Sequence, residues 1–144
     1  MTGDENNDYG VAGMTLLLAE AFAPWIRQLD IRPLEVTAQG GRFQLPENPD
    51  LSREGGIICG QAIAAVADTI GVLCLSAHNG HFRQMTTVDM TTHFMRPLMK
   101  GAVEADVTIL SNGRRMATLR VDFRQAGKEK ICAGATCAYA YLDV

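Results

Sequence analysis

Asp68 is the residue whose setting most needs a chemical explanation. From Ile57 to Ala77 the chain reads IICGQAIAAVADTIGVLCLSA, and Asp68 is the only ionisable carboxylate in that stretch. Aspartate is almost never fully buried without a partner, and stripping water from its charge costs stability. A lone carboxylate here is either a working acid or base, or a side chain that reaches solvent or caps a backbone group. Just upstream stand Gly55, Gly56 and Gly60. Glycine lets backbone approach a ligand closely, and the free N–H groups at a helix start favour a developing oxyanion. The plain alternative for these glycines is a tight loop-to-helix turn. At 1.5 Å rise per residue, Asp68 lies about 12 Å beyond Gly60 on one helix. That is too far to attack a carbonyl held at Gly60 of the same copy. A second copy with an antiparallel helix could bring the two groups together.

These residues need elements to hold them. Residues 1–12 are polar and expected to be a flexible N-terminus, with 13–144 forming one domain. Residues 13–29 predict a helix with Leu17, Ala21, Pro24 and Trp25 as its stripe, kinked or ended at Pro24. Leu34–Pro46 predicts a hairpin around Gly40-Gly41. The Ile57–Ala77 segment is apolar on every face, the pattern of a buried helix, and Asn79-Gly80 should stop it. Four strands follow, over Met85–Pro97, Gly101–Gly113, Arg114–Gly127 and Lys128–Val144, with turn residues between them. Those breaks predict an antiparallel meander. Strands grouped after one central helix argue for an α+β fold, with one long sheet curled round one buried helix.

Length and composition narrow the function. One domain of 144 residues, 47% hydrophobic, can bury roughly 70% of its unfolded surface. That excludes a disordered or disulfide-stapled chain and leaves little room for a deep private site. Net charge is −3 and the pI is near 5.5, with no basic run, which disfavours nucleic acid and anionic membrane. Asp68 near the centre of the apolar segment disfavours a membrane span. Asp4, Glu5 and Asp8, with no Lys or Arg before the first apolar run, argue against a secretory signal. Cys59, Cys74, Cys132 and Cys137 form no CxxC and read as buried thiols of a cytoplasmic protein. No phosphate-loop, dinucleotide or flavin fingerprint appears, so no cofactor is expected.

The segment REGGIICGQAIAAVAD (Arg53–Asp68), with TTVDMTTHFMRP and NGRRMATLRVDF downstream, resembles the hotdog-fold acyl-CoA thioesterases of the phenylacetate-degradation type. It is most similar to a branch whose helix entry reads roughly RPGGxVSGPxLxxLAD. The resemblance implies a long antiparallel sheet wrapped around a central helix. It implies a homodimer paired edge to edge through the third strands, further assembled as a dimer of dimers, with acyl-CoA as substrate. It also implies roles. Asp68 is the nucleophile or the general base. The Gly60 N–H of the facing subunit, with that of Gln61, polarises the thioester carbonyl. Thr87 positions the water or carboxylate. Arg53, Gly56 and Cys59 belong to the substrate-binding helix entry, and Arg114 and Arg115 suit the CoA phosphates. The chain departs from relatives that read HGG where it has Cys59-Gly60-Gln61, and from the nearer branch's Ser and Pro at positions 59 and 61.

Rival constellations are weaker. Cys74, His78 and His81 would share a helix face and suit zinc, but Asn79-Gly80 should break the helix between the histidines, so no metal is expected. His93 would matter for a hydratase, or paired with Cys59 as a nucleophile. Met85, Met90, Met95, Met99 and Met116 read as core or acyl-tunnel lining. A non-catalytic acyl-CoA-binding protein is the alternative to a thioesterase.

Overall fold

A computed structural model describes residues 9–144. In chain order it holds α1 (Gly10–Ala21), α2 (Pro24–Arg27), β1 (Arg32–Val36), β2 (Gly40–Leu45), β3 (Ser52–Arg53), β4 (Ile57–Ile58), α3 (Gly60–Asn79), β5 (Met85–Phe94), β6 (Val103–Asn112), β7 (Met116–Gln125) and β8 (Ile131–Tyr141). Six strands form one antiparallel sheet in the order β1-β2-β6-β7-β8-β5, and β3 and β4 make a separate two-stranded ribbon. This is the expected α+β hotdog arrangement.

The sheet folds around α3 because its long strands alternate. In β7, Ala117, Leu119, Val121 and Phe123 are buried; in β8, Ala133, Ala135, Cys137, Tyr139 and Tyr141 are. They meet Ile63, Val66, Ala67, Ile70, Leu73 and Cys74 of α3 in one core. The helix is long and apolar enough to cross a membrane, yet most of it is buried inside the fold, as its all-round apolar pattern required. Gly80 ends it at φ 79°, its N–H donating to the Ala77 carbonyl, the left-handed stop that Asn-Gly announced.

Several expectations change. The last three strands are a meander, but β5 pairs with β8 and not with β6. β6 instead takes β2 as its other neighbour, because the Gly40 backbone fits against it so closely that a Cβ there would lie 1.6 Å from the Val107 carbonyl oxygen. Gly40-Gly41 therefore begin β2; the turn is at residues 37–39. The segment after β5 is no hairpin, since Ile58 N–H donates to the Leu98 carbonyl at 2.8 Å and ties it to the entry of α3. Lastly, the single helix at 13–29 is two. α1 starts at Gly10 and buries Met14 and Leu18, while Pro24 starts α2 at a position that needs no N–H. Ala21 and Trp25 are exposed. Within the N-terminal segment expected to be flexible, residues 1–8 lie outside the described residues, and 10–12 are helical.

Candidate active site

Asp68 sits on the ninth residue of α3, half-buried, at the wall of an open groove of about 630 Å³. Thr87 Oγ1 donates to its Oδ1 at 2.7 Å, and the Tyr139 hydroxyl donates to its backbone carbonyl at 3.1 Å. Both contacts follow from register. Thr87 pairs with Tyr139 across β5 and β8, so the two side chains share the helix-facing side of the sheet. The pairing then slips, and Asp89 faces Ala138. This bulge at Val88 adds one residue, so Met90, opposite buried Cys137, also points to the helix side. Without it Thr87 and Met90 would lie on opposite faces.

Tyr139 reaches the helix because Gly71 has no side chain; a Cβ there would lie 2.3 Å from the phenol oxygen. Burial pushes the Tyr139 phenol well above its ordinary value, so it remains a protonated donor. Burial likewise pushes the nearby Cys137 thiol up to about 11.

The groove beside Asp68 is walled by Phe22, Trp25 and Ile26 from the α1–α2 segment, by Ala64, Ala65 and Val72 of α3, and by Met90. Among its lining residues Asp68 carries the only charge; Gln61 and Thr69 add polar groups. This groove suits an apolar group placed next to a carboxylate.

The entry of α3 forms a second feature. Cys59 is the N-cap and makes no side-chain cap. The Cys59 carbonyl takes the N–H groups of Ala62 and Ile63. The N–H groups of Gly60 and Gln61 have no acceptor among the described residues, as expected of a first helical turn. Phe94 lies over Gly60, whose added Cβ would meet its ring at 3.3 Å. A groove of about 380 Å³ opens here, lined by Gly60, Phe94, Arg53 and Arg96 among others. Gly55 and Gly56, at φ 85° and 74°, make the tight turn between β3 and β4, and the Gly56 carbonyl accepts the Lys100 N–H.

Of the residues singled out from sequence, Asp68 and Thr87 are brought into contact. Gly60, Cys59 and Arg53 gather at the helix entry, with Gly60 about 12 Å from Asp68 within one chain, while Gln61 also lines the Asp68 groove. Arg114 and Arg115 lie elsewhere, in the turn between β6 and β7. That turn is fastened to the far end of α3 by the Asn112–Asn79 side-chain bond at 2.9 Å and by Arg83, which donates to the Arg114 carbonyl. One copy does not place them at the helix entry. The zinc trio is spent otherwise: a ring nitrogen of His78 pairs with the Gly40 carbonyl at 2.8 Å, one of His81 with the Asn79 carbonyl, and Cys74 is buried. His93 is exposed on β5. Met90 lines the groove and Met95 the helix entry, whereas Met99 and Met116 are exposed. Sequence reasoning missed Tyr139, Phe22, Phe94 and Arg96. For Tyr139 the signal was available: strict alternation in ATCAYAY beside a glycine inside the helix.

Comparison with known proteins bears on the family and the fold. A family model described as the thioesterase superfamily matches residues 55–132, more than half of the chain. A Thermoplasma acidophilum protein named as an esterase is 27% identical over 101 residues, 70% of this chain and 76% of its own. A Haemophilus influenzae thioesterase structure superposes with a TM-score of 0.78 at 20% identity, over 90% of this chain and 88% of that one. A phenylacetic acid degradation-related protein of Ralstonia eutropha gives 0.75 at 19% identity, over 88% of this chain and 98% of that one. The two structural likenesses speak to the fold.

Proposed function

Because the chain belongs to the thioesterase superfamily, we propose that it hydrolyses an acyl-CoA thioester to a carboxylic acid and CoA at a site shared between two copies. Asp68 serves as general base or nucleophile. As base it takes a proton from water, whose oxygen adds to the thioester carbonyl; the tetrahedral oxyanion collapses, the C–S bond breaks, and the CoA sulfur leaves as thiolate or takes the proton. As nucleophile it forms an acyl anhydride and releases CoA, and water then cleaves the anhydride. In either course the Gly60 N–H of the facing copy, with that of Gln61, steadies the oxyanion.

The observation that carries this reading is the Thr87–Asp68 hydrogen bond of 2.7 Å beside an apolar groove. It fixes one carboxylate oxygen and leaves the other available. Two facts favour a second copy. Gly60 is out of reach of Asp68 in one chain, and among the described residues β5 ends the sheet with no partner on its outer edge, carrying exposed Val88 and Phe94. An unpaired, apolar edge strand is a template for another chain.

The test is thiol release from a panel of short, long and aromatic acyl-CoA substrates by the wild type and Asp68→Asn. The variant is expected to lose about 10²- to 10⁴-fold in turnover, the span of a lost general base, with an unchanged circular dichroism spectrum. Equal rates would remove Asp68 from the reaction. Tight acyl-CoA binding in calorimetry without CoA release from any of the panel would instead make the protein a non-catalytic binder.

A further inference from the structure

Trp25 is the only tryptophan in the chain. It is 58% exposed on α2, whose first residue, Pro24, holds the start of that turn in place. It lines the groove of about 630 Å³ that contains Asp68. It also lines a second cavity of about 280 Å³ bounded by Leu29, Leu51, Cys59 and Ala62. Among the described residues, Trp25 and Gln61 alone are common to both. The indole thus stands between an apolar groove at the candidate reacting carboxylate and an apolar extension of it. Gln28, Asn48 and Asp50 add polar groups to the lining of that second cavity.

We infer that Trp25 is the partition that sets the acyl length this protein accepts. The acyl chain of the thioester runs along the Asp68 groove and stops against the indole, and the second cavity stays empty while the ring is in place. Among the described residues of one copy no cation lines either cavity, which suits an uncharged acyl group. A dicarboxylic acyl group would bring its free carboxylate towards Asp68, or Asp50, unpaired. This rests on the reading of Asp68 as the reacting centre. Trp25 is a specificity-determining residue and touches no reacting atom.

The experiment compares wild type, Trp25→Ala and Trp25→Phe on straight-chain acyl-CoA substrates of increasing length. It also measures binding of the matching non-hydrolysable thioether analogues by calorimetry. Opening the partition should move the best chain longer, and raise kcat/KM for a long chain relative to the wild-type optimum by roughly tenfold or more, the range in which pockets discriminate by methylenes. Trp25→Phe, which keeps a ring in place, should hold the wild-type profile. An unchanged profile in folded Trp25→Ala overturns the partition and leaves the proposed reaction standing. If the wild type cleaves none of the substrates, the proposed reaction fails. The thioether binding profiles then decide the partition alone: a shift towards longer chains supports it and coincident profiles overturn it. Intrinsic fluorescence gives a second reading from the same indole. The thioether of the chain length the wild type accepts best should change it saturably and free CoA should not. A response to free CoA, or to protein concentration without ligand, would place Trp25 against the nucleotide or another copy and overturn the inference.

Discussion

Replacing Thr87 with valine isolates the one contact that orients the candidate carboxylate. Valine keeps the β-branched shape that suits a strand and removes only the donor. The hydrogen bond at 2.7 Å is short, and bonds to charged groups contribute about 1.5–3 kcal/mol. Thr87 is exposed on an edge strand in the single chain, so water can replace part of the interaction, and about 1–2 kcal/mol is the fitting range. Turnover should therefore fall roughly 5- to 30-fold, since 1.36 kcal/mol is a decade in rate. KM should change little, because the hydroxyl meets the carboxylate and not the bulk of the substrate. Thr87→Ser, which retains the donor, should stay within about threefold of wild type. Steady-state acyl-CoA hydrolysis by the three proteins, beside Asp68→Asn, is the assay. A Thr87→Val enzyme as fast as wild type would mean that the hydroxyl does not orient the working carboxylate. A loss confined to KM would place Thr87 against substrate instead.

Two further predictions concern the scaffold behind Asp68. Gly71→Ala drives a methyl to within 2.3 Å of the Tyr139 hydroxyl and should destabilise the fold by about 1–3 kcal/mol through overpacking. Tyr139→Phe in the same chain should recover part of that loss, and simple additivity in urea unfolding would show that the clash is not the cause. Burial pushes the Cys74 thiol up to about 12 and that of Cys137 up to about 11, from 9.0. The native thiols keep their protons where the unfolded ones ionise, so this stability is full below pH 9 and is lost as pH rises towards 11–12. The slope is up to about 1.4 kcal/mol per pH unit for each thiol. Cys74→Ala should flatten the alkaline fall in urea midpoint, and parallel curves for variant and wild type would contradict this.

Much of this molecule was legible in its residues, and what was not has physical reasons. The apolar run around Asp68 could be satisfied only by burial, and Asn79-Gly80 by ending a helix, so α3 was readable nearly to its limits. The four long strands were readable from alternation and their turn residues. Their order was not. Pairing of β5 with β8 and of β2 with β6 joins segments far apart in sequence, and local turn signals carry no information about such neighbours. The close approach of Gly40 to Val107 left only a glycine as its trace. The N-terminal helix divides because Pro24 starts a new turn, and Trp25, which the apolar spacing puts on one stripe with Leu17 and Ala21, is held by α2 at a groove. Of the site, Asp68 followed from chemistry alone, and Thr87 only from a resemblance. The bulge at Val88, which puts Thr87 and Met90 on one face, has no glycine or proline to announce it.

The central claim is that each site is made by two copies, and subunit complementation tests it most directly. Gly60 is the first residue of α3, and the extended backbone of Cys59 before it (φ −65°, ψ 144°) accepts a following proline. Gly60→Pro thus removes the N–H at the helix position where proline is best tolerated, with Phe94 yielding slightly. Asp68→Asn and Gly60→Pro should each be nearly inactive alone. Unfolded together in equal amounts and refolded, they should recover up to about a quarter of wild-type activity, because half the two-fold dimers are mixed and each mixed dimer holds one intact Asp68–Gly60 pair. If the mixture is no more active than the separate variants while mixed dimers are demonstrably present, the two residues do not meet across subunits and the shared site is contradicted.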